Sequence, residues 1–241
     1  MGLVAELLLV VIGVPVLAFL ALAAFAFHAS AWGRSVPAAR PGTLRVACVG
    51  DSITYGWPLA SARYPDQLER LLGAGWSVRN FGAIGHTVQK AGDEPYWKHR
   101  YFRLGTEFAP DVVVIMMGSN DAKVQNWAGP ERFTNDYKAL VEHYRTLPSH
   151  PRIVLMTPPS ACLVRGRTSL PSGFDADVIA QVAQITRRVG AELSLPVVDI
   201  HAATAGHPEL FWVDGLHPDG AGQRLIARTL HDALPGFWQP R

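Results

Sequence analysis

Short apolar runs alternate with amphipathic stretches along this chain, and that order predicts an α/β protein. Right-handed crossovers would fold it into a three-layer α/β/α sandwich around a five-stranded parallel sheet. Two further observations agree. The runs are rich in Val, Ile and Leu at successive positions, as in strands covered on both faces. The chain has 241 residues, 49% of them hydrophobic, which is enough for one domain of roughly 200 residues with its own core.

The first segment stands outside the pattern. Leu7 to Phe27 are 21 consecutive residues without a charged or strongly polar side chain, long enough for a transmembrane helix. Gly13 and Pro15 within it suit a membrane helix better than a soluble one. Ala29, Ser30 and Ala31 offer the small-residue pattern of signal cleavage. The stretch nevertheless exceeds the about 7 to 15 residues of a signal, and no Lys or Arg precedes it, so residues 1–31 read as a retained single-pass anchor in preference to a cleaved signal. Glu6 before the segment and Arg34, Arg40 and Arg45 after it would keep the domain cytoplasmic, whereas a lone N-terminal apolar segment is also how chains are exported. The side of the membrane stays open. Residues 32–43, "WGRSVPAARPGT", read as a linker, and 44–241 as the domain.

Within the domain five strands are expected: Leu44 to Val49, Trp76 to Phe81, Asp111 to Met117, Arg152 to Met156 and Leu195 to Ile200. Helical spacing of apolar residues marks the connections. One helix carries Tyr64, Leu68, Leu71 and Leu72, and a second Phe133, Tyr137, Leu140, Val141 and Tyr144. A third carries Val178, Val182, Ile185 and Val189, with Ser172 as its cap and Asp175 answering. The last runs from about Gly220 to Leu234, with Leu225, Ile226, Thr229 and Leu230 on one face.

The net charge of +2, without a run of like charges, argues against a nucleic-acid partner. Cys48 and Cys162 form neither a CxxC pair nor a metal-ligand spacing, so no disulfide framework and no metal are expected. Cys48, in an apolar run, reads as a small buried hydrophobe.

Parallel α/β sheets place ligands at the carboxyl ends of their strands, where four polar segments of this chain converge. They are "GDS" at 50–52, "NFGAIGHT" at 80–87, "MGSND" at 117–121 and "VDGLHPDG" at 213–220. Each has an ordinary structural use: Ser52 as a helix cap, Gly85 as a turn glycine, Asn120 and Asp121 as an Asx-turn. Together they supply what acyl transfer requires. A serine hydroxyl becomes a nucleophile when an imidazole takes its proton and a carboxylate fixes that imidazole. Asp214 precedes His217 by three residues, so one turn can present each side chain to the other. The expected triad is Ser52, His217 and Asp214. The backbone N–H groups of Ser52 and Gly85, with the side-chain amide of Asn120, would meet the negative charge of a tetrahedral intermediate.

These four blocks, in this order, resemble those of the SGNH hydrolases, also called the GDSL esterase/lipase family: "GDSIT" with Ser52, "NFGAIGHT" with Gly85, "GSND" with Asn120 and "DGLHP" with Asp214 and His217. The resemblance spans residues 44 to about 234. It implies a flavodoxin-like sandwich, hydrolysis of carboxylic esters without a metal or other cofactor, and the roles just assigned. The chain departs from the family name at Ile53 and Thr54, which leaves the chemistry untouched, and carries His86 beside the oxyanion glycine where many members have Asp or Ser. GxSxG, HExxH and P-loop patterns are absent.

Substrate choice lies in the loops. "AKVQNWAGP" after "GSND" offers Lys123, Gln125, Asn126 and Trp127, donors and an indole face suited to a sugar ring, and Lys123, Asn126 and Trp127 are the expected substrate contacts. The stretch looks like the corresponding loop of family members that act on carbohydrate acetyl esters. The insertion from Pro158 to Gly173 adds Arg165 and Arg167, which would meet an anionic group. The expected activity is therefore a small-acyl, chiefly acetyl, carbohydrate esterase. Two alternatives are a lysophospholipase or thioesterase served by the membrane segment, and a transferase of acetyl groups onto an envelope polysaccharide.

Overall fold

The computed structural model describes residues 35–58, 62–164, 169–171 and 173–238. The apolar stretch Leu7 to Phe27, Arg165, Arg167 and Ser172 lie outside the described residues. Among the described residues no helix is long and apolar enough to cross a membrane.

Five strands, β1 (Leu44–Gly50), β2 (Trp76–Gly82), β3 (Val112–Met116), β4 (Arg152–Met156) and β5 (Val197–Val198), form one parallel sheet in the order β2-β1-β3-β4-β5. Seven helices are described: α1 (Ser52–Tyr55), α2 (Tyr64–Leu72), α3 (Arg100–Glu107), α4 (Pro130–Arg145), α5 (Ala176–Glu192), α6 (Ile200–Thr204) and α7 (Gly220–Asp232). The expected α/β architecture is the one found.

Successive residues of the strands pack on opposite sides, which is why the runs had to be apolar throughout. Ala47 and Val49 of β1 join Val113 and Ile115 of β3 in one core, covered by Phe133, Tyr137 and Leu140 of α4 and Val182 and Ile185 of α5. Val46 and Cys48 join Val112 and Val114 in the other, covered by Tyr64 and Leu68 of α2 and Ile226 and Leu230 of α7. Cys48 is thus the buried hydrophobe expected, and both cysteines are free thiols.

Four local readings change. Helix α3 has no strong signature in the sequence, because only Tyr101 and Gly105 of "RYFRLGTE" are buried and an apolar period cannot be read from two such residues. Strand β5 is two residues long instead of six: Pro196 precedes it, and Asp199 ends it by capping α6, accepting from the N–H of Ala202 at 3.1 Å. Helix α5 is capped by Asp175, whose carboxylate accepts from the N–H groups of Asp177 and Val178 at 2.8 and 3.3 Å. On α2, Leu71 faces solvent.

The segment just before the domain is fastened to it. Arg79 of β2 donates to the carbonyls of Pro37 and Ala38 at 2.9 and 2.7 Å, and the N–H of Arg40 donates to Ser77 at 3.0 Å. Residues 36–43 of the stretch read as linker therefore belong to the compact unit Val36–Arg241.

The strand order also fixes where a site can form. From β1 the chain goes to β2 on one side and then to β3 on the other, so β1 marks the point where the winding reverses and a crevice opens at the carboxyl ends. Ser52 follows β1 and is flanked by the loops that leave β2 and β3.

Candidate active site

Strand β1 ends at Gly50, and α1 begins two residues later. A Cβ at Gly50 would lie 1.9 Å from the Thr54 hydroxyl and 2.8 Å from the carbonyl of Met116, so only glycine lets α1 fold back against the sheet here. Asp51 is the N-cap: its carboxylate accepts from the N–H of Ile53 at 2.9 Å. The ordinary structural use of Ser52, as the cap, thus falls to its neighbour. With Asp51 in that role, the serine hydroxyl is free for another partner.

That partner is His217. Ser52 Oγ lies 2.9 Å from His217 Nε2, and His217 Nδ1 lies 2.7 Å from Asp214 Oδ2. Because the carboxylate accepts from Nδ1, that nitrogen carries the ring proton and Nε2 is left to accept from the serine. The other oxygen, Asp214 Oδ1, accepts from the N–H groups of Leu216 and His217, both at 3.0 Å. Burial works against the charge on Asp214, but the ring and these two N–H groups outweigh it and hold its pKa below the ordinary carboxylate value.

Local sequence builds this turn. The N–H of Trp212 donates to the carbonyl of His217 at 2.9 Å, the N–H of Gly215 donates to that of Trp212 at 2.9 Å, and Phe211 bridges Pro218. Asp219 then caps α7 through the N–H groups of Ala221 and Gly222. Buried Gln223, one turn into α7, donates to the carbonyl of Ile53 at 2.9 Å and accepts from the N–H of Tyr64 at 2.8 Å. It thereby fastens the helix after His217 to the helix that begins at Ser52. Nothing in the local pattern marked Gln223, a polar residue on the buried face of α7.

Gly85 and Asn120 sit on the two flanking loops. Gly85 has φ +82°, the left-handed region in which glycine is at ease. Asn120 is buried, and its Nδ2 donates one hydrogen to the carbonyl of His86 at 3.2 Å, which ties the two loops together beside Ser52. The N–H of Ser52 belongs to the first residue of α1, ahead of the helical ladder.

His86 is buried. Its Nδ1 donates to the carbonyl of Ile84 at 2.8 Å and its ring packs edge-on against His99 at 4.4 Å. Burial lowers its pKa below that of an ordinary histidine.

Asp121 is fully buried, and its side chain is spent on the other loop and not on an Asx-turn: its two carboxylate oxygens accept from the N–H groups of Val88 at 2.9 Å and Gln89 at 2.8 Å. Burial raises its pKa to about 7.

Of the expected substrate contacts, Asn126 is spent internally. It is 4% exposed, donates to Asp93 Oδ1 at 2.8 Å and to the carbonyl of Asn120 at 3.0 Å, and accepts from the N–H of Asp93 at 2.9 Å. A side chain so used braces its loop and is not presented to a sugar. Trp127 packs against the core beside Phe133, with ring centroids 5.9 Å apart. Lys123 is half-buried, its ammonium 5.4 Å above the ring of Phe174. Among the described residues no group of His, Cys, Asp and Glu side chains is arranged to hold a metal ion.

The model of the GDSL-like lipase/acylhydrolase family matches residues 48–225, which include all four blocks. The chain belongs to that family of ester hydrolases. An acetylxylan esterase of Xylanibacter ruminicola is 30% identical over 223 residues, covering 84% of this chain and 45% of its own length. This GDSL family member therefore spans just under half of that relative. Among solved structures, a lipase/acylhydrolase from Enterococcus faecalis superimposes with a TM-score of 0.65 at 25% identity, over 83% of this chain and 99% of its own. A carbohydrate acetylesterase family member from Sinorhizobium meliloti shares the fold with a TM-score of 0.64 at 24% identity, over 80% of this chain and 97% of its own.

Proposed function

We propose that this chain is a serine esterase that removes small acyl groups, chiefly acetyl, from carbohydrate esters. The observation that carries the reading is the continuous hydrogen-bonded series from Ser52 through His217 to Asp214, at 2.9 and 2.7 Å, at the reversal point of the sheet.

In the proposed reaction His217 Nε2 takes the proton of Ser52 as Oγ attacks the ester carbonyl, and Asp214 stabilises the imidazolium that forms. The N–H groups of Ser52 and Gly85, with the second hydrogen of Asn120 Nδ2, meet the charge on the former carbonyl oxygen. His217 then gives its proton to the departing alcohol, and a water deacylates Ser52 by the same steps in reverse. Support for an acetylated carbohydrate comes from the acetylxylan esterase relative, and the short acyl group follows from the same source.

The test is hydrolysis by the full-length chain of p-nitrophenyl esters from acetyl to palmitoyl and of an acetylated xylo-oligosaccharide, with Ser52→Ala as the blank. Preference for acetyl, together with sugar deacetylation, is expected. Preference for long acyl chains would replace the reading with a lipid esterase, and acetyl trapped on Ser52 without hydrolysis would replace it with a transferase.

A further inference from the structure

The proposed oxyanion donors outside Ser52 lie on loops with at most a single 3-10 turn, yet such donors must stay fixed within a few tenths of an ångström to act. Gly85 lies in the segment between β2 and the 3-10 turn at Tyr96–Lys98, and Asn120 opens a single 3-10 turn after β3. What holds these two loops is a set of buried side-chain bonds between residues far apart in the chain.

At its centre is the carboxylate of Asp121, which gathers the N–H groups of Val88 and Gln89, residues 33 and 32 positions away. Gln89 continues the series: its amide donates to the carbonyl of Asn126 at 2.8 Å and accepts from the N–H of Ala128 at 3.2 Å. Asn126 closes it by donating to the main-chain carbonyl of Asn120 itself at 3.0 Å and by pairing with both the N–H and the carboxylate of Asp93. Asp121, Gln89 and Asn126 are all nearly or fully buried, so water does not compete for these bonds. The loop of Gly85 and the loop of Asn120 therefore move as one piece or not at all.

We propose that Asp121 and Asn126 are positioning residues for this enzyme: a buried clamp that sets Gly85 and Asn120 at the distance from each other, and from Ser52, at which they can receive the oxyanion. Neither touches the ester. Their effect is exerted through the donors, in the transition state, and so falls on kcat and not on KM. The proposal rests on the esterase reading above.

The experiment uses p-nitrophenyl acetate with the full chain and with Asp121→Asn, Asn126→Ala, Asn120→Ala and the double variant Asp121→Asn/Asn120→Ala, each checked for folding by thermal denaturation. Asp121→Asn keeps the size of the side chain but places an amide hydrogen against a backbone N–H. Its kcat should fall roughly 10- to 100-fold with KM within about twofold, and the affinity for a trifluoromethyl ketone, which places an oxyanion on the serine adduct, should fall by the same factor. Asn126→Ala should act the same way but more weakly, about 3- to 10-fold, and is the variant to read if Asp121→Asn does not fold. The double variant should lose much less than the product of the two single losses, because the residues act as a unit. Wild-type activity abolished by Ser52→Ala, together with unchanged kcat in a folded Asp121→Asn or Asn126→Ala, would overturn the clamp and leave the esterase standing. So would a loss confined to KM, or losses that multiply in full. Activity that survives in Ser52→Ala would instead overturn the esterase reading.

Discussion

The turn from Asp214 to His217 and the pair of loops around Gly85 and Asn120 solve the same problem, holding polar groups in place, by opposite means. In the turn the bond between the two side chains is local: Asp214 and His217 are three residues apart and bind each other through both ring and backbone. In the loops the bonds between the two are distant, with Asp121 reaching 32 and 33 residues back and Asn120 reaching 34. A local device is fixed by its own backbone, whereas a distant one depends on the whole sheet to bring its halves together. The turn should therefore tolerate distant damage that would loosen the loops.

The largest effect separates chemistry from scaffolding. Ser52→Ala and His217→Ala should each lower kcat by roughly 10⁵- to 10⁶-fold with the melting temperature almost unchanged, as measured by ester hydrolysis and denaturation side by side. Asp214→Asn should cost less, about 10³- to 10⁴-fold, because an asparagine Oδ1 still accepts from the N–H groups of Leu216 and His217 and keeps the turn folded. If Asp214→Asn is silent, the imidazole is oriented by something other than its carboxylate, and the turn is less self-sufficient than its geometry implies.

On the other side of the comparison, Asn120→Ala should lower kcat about 10²- to 10³-fold, the usual effect of removing one oxyanion donor. Gly85→Ala should be milder. A Cβ there meets no atom within 4 Å, but φ +82° strains any other residue by about 1 kcal/mol and tilts the N–H. A fall in melting temperature of about 2–4 °C with a several-fold loss of kcat is expected.

The smallest effect is on stability against pH. Asp121 holds its proton up to about pH 7 in the folded chain but releases it near the ordinary value of 3.8 when unfolded. Below that ordinary value both states are protonated, and between it and about pH 7 only the folded state is. This group's contribution to stability is therefore present at acid pH and lost as pH rises through about 7. Asp121→Asn removes the titration. The difference in melting temperature between variant and wild type should shift in the variant's favour from pH 4 to pH 8, and a constant difference would mean that the carboxyl is already ionised at pH 4.

How much of this could be read beforehand follows the same division. The strands were legible because burial on both faces demands apolar residues at every position, and the helices α2, α4, α5 and α7 because one buried face imposes a period. Helix α3 escaped because only Tyr101 and Gly105 of its eight residues are buried. The meeting of Ser52, His217 and Asp214 was legible because a serine, an imidazole and a carboxylate at these places suit one another and two of the residues share one turn. Asn126 was misread: its amide is chemically suited to a sugar, but Asp93 and the main chain of Asn120 already use it.

The sequence by itself determined the α/β class, the strands that carry the site and the Asp-x-x-His turn, since each depends on periodicity or on spacing within a few residues. Only the tertiary structure decided which of the polar loop residues are consumed in holding the loops. It made Asp51 the cap and freed Ser52, turned Asp121 and Asn126 inward, and set Gln223 between α1, α2 and α7. The physical reason is that a hydrogen-bonding group names no partner of its own. Its partner is whichever donor or acceptor the packing of the sheet and helices brings within about 3 Å, and that proximity is a property of the folded chain.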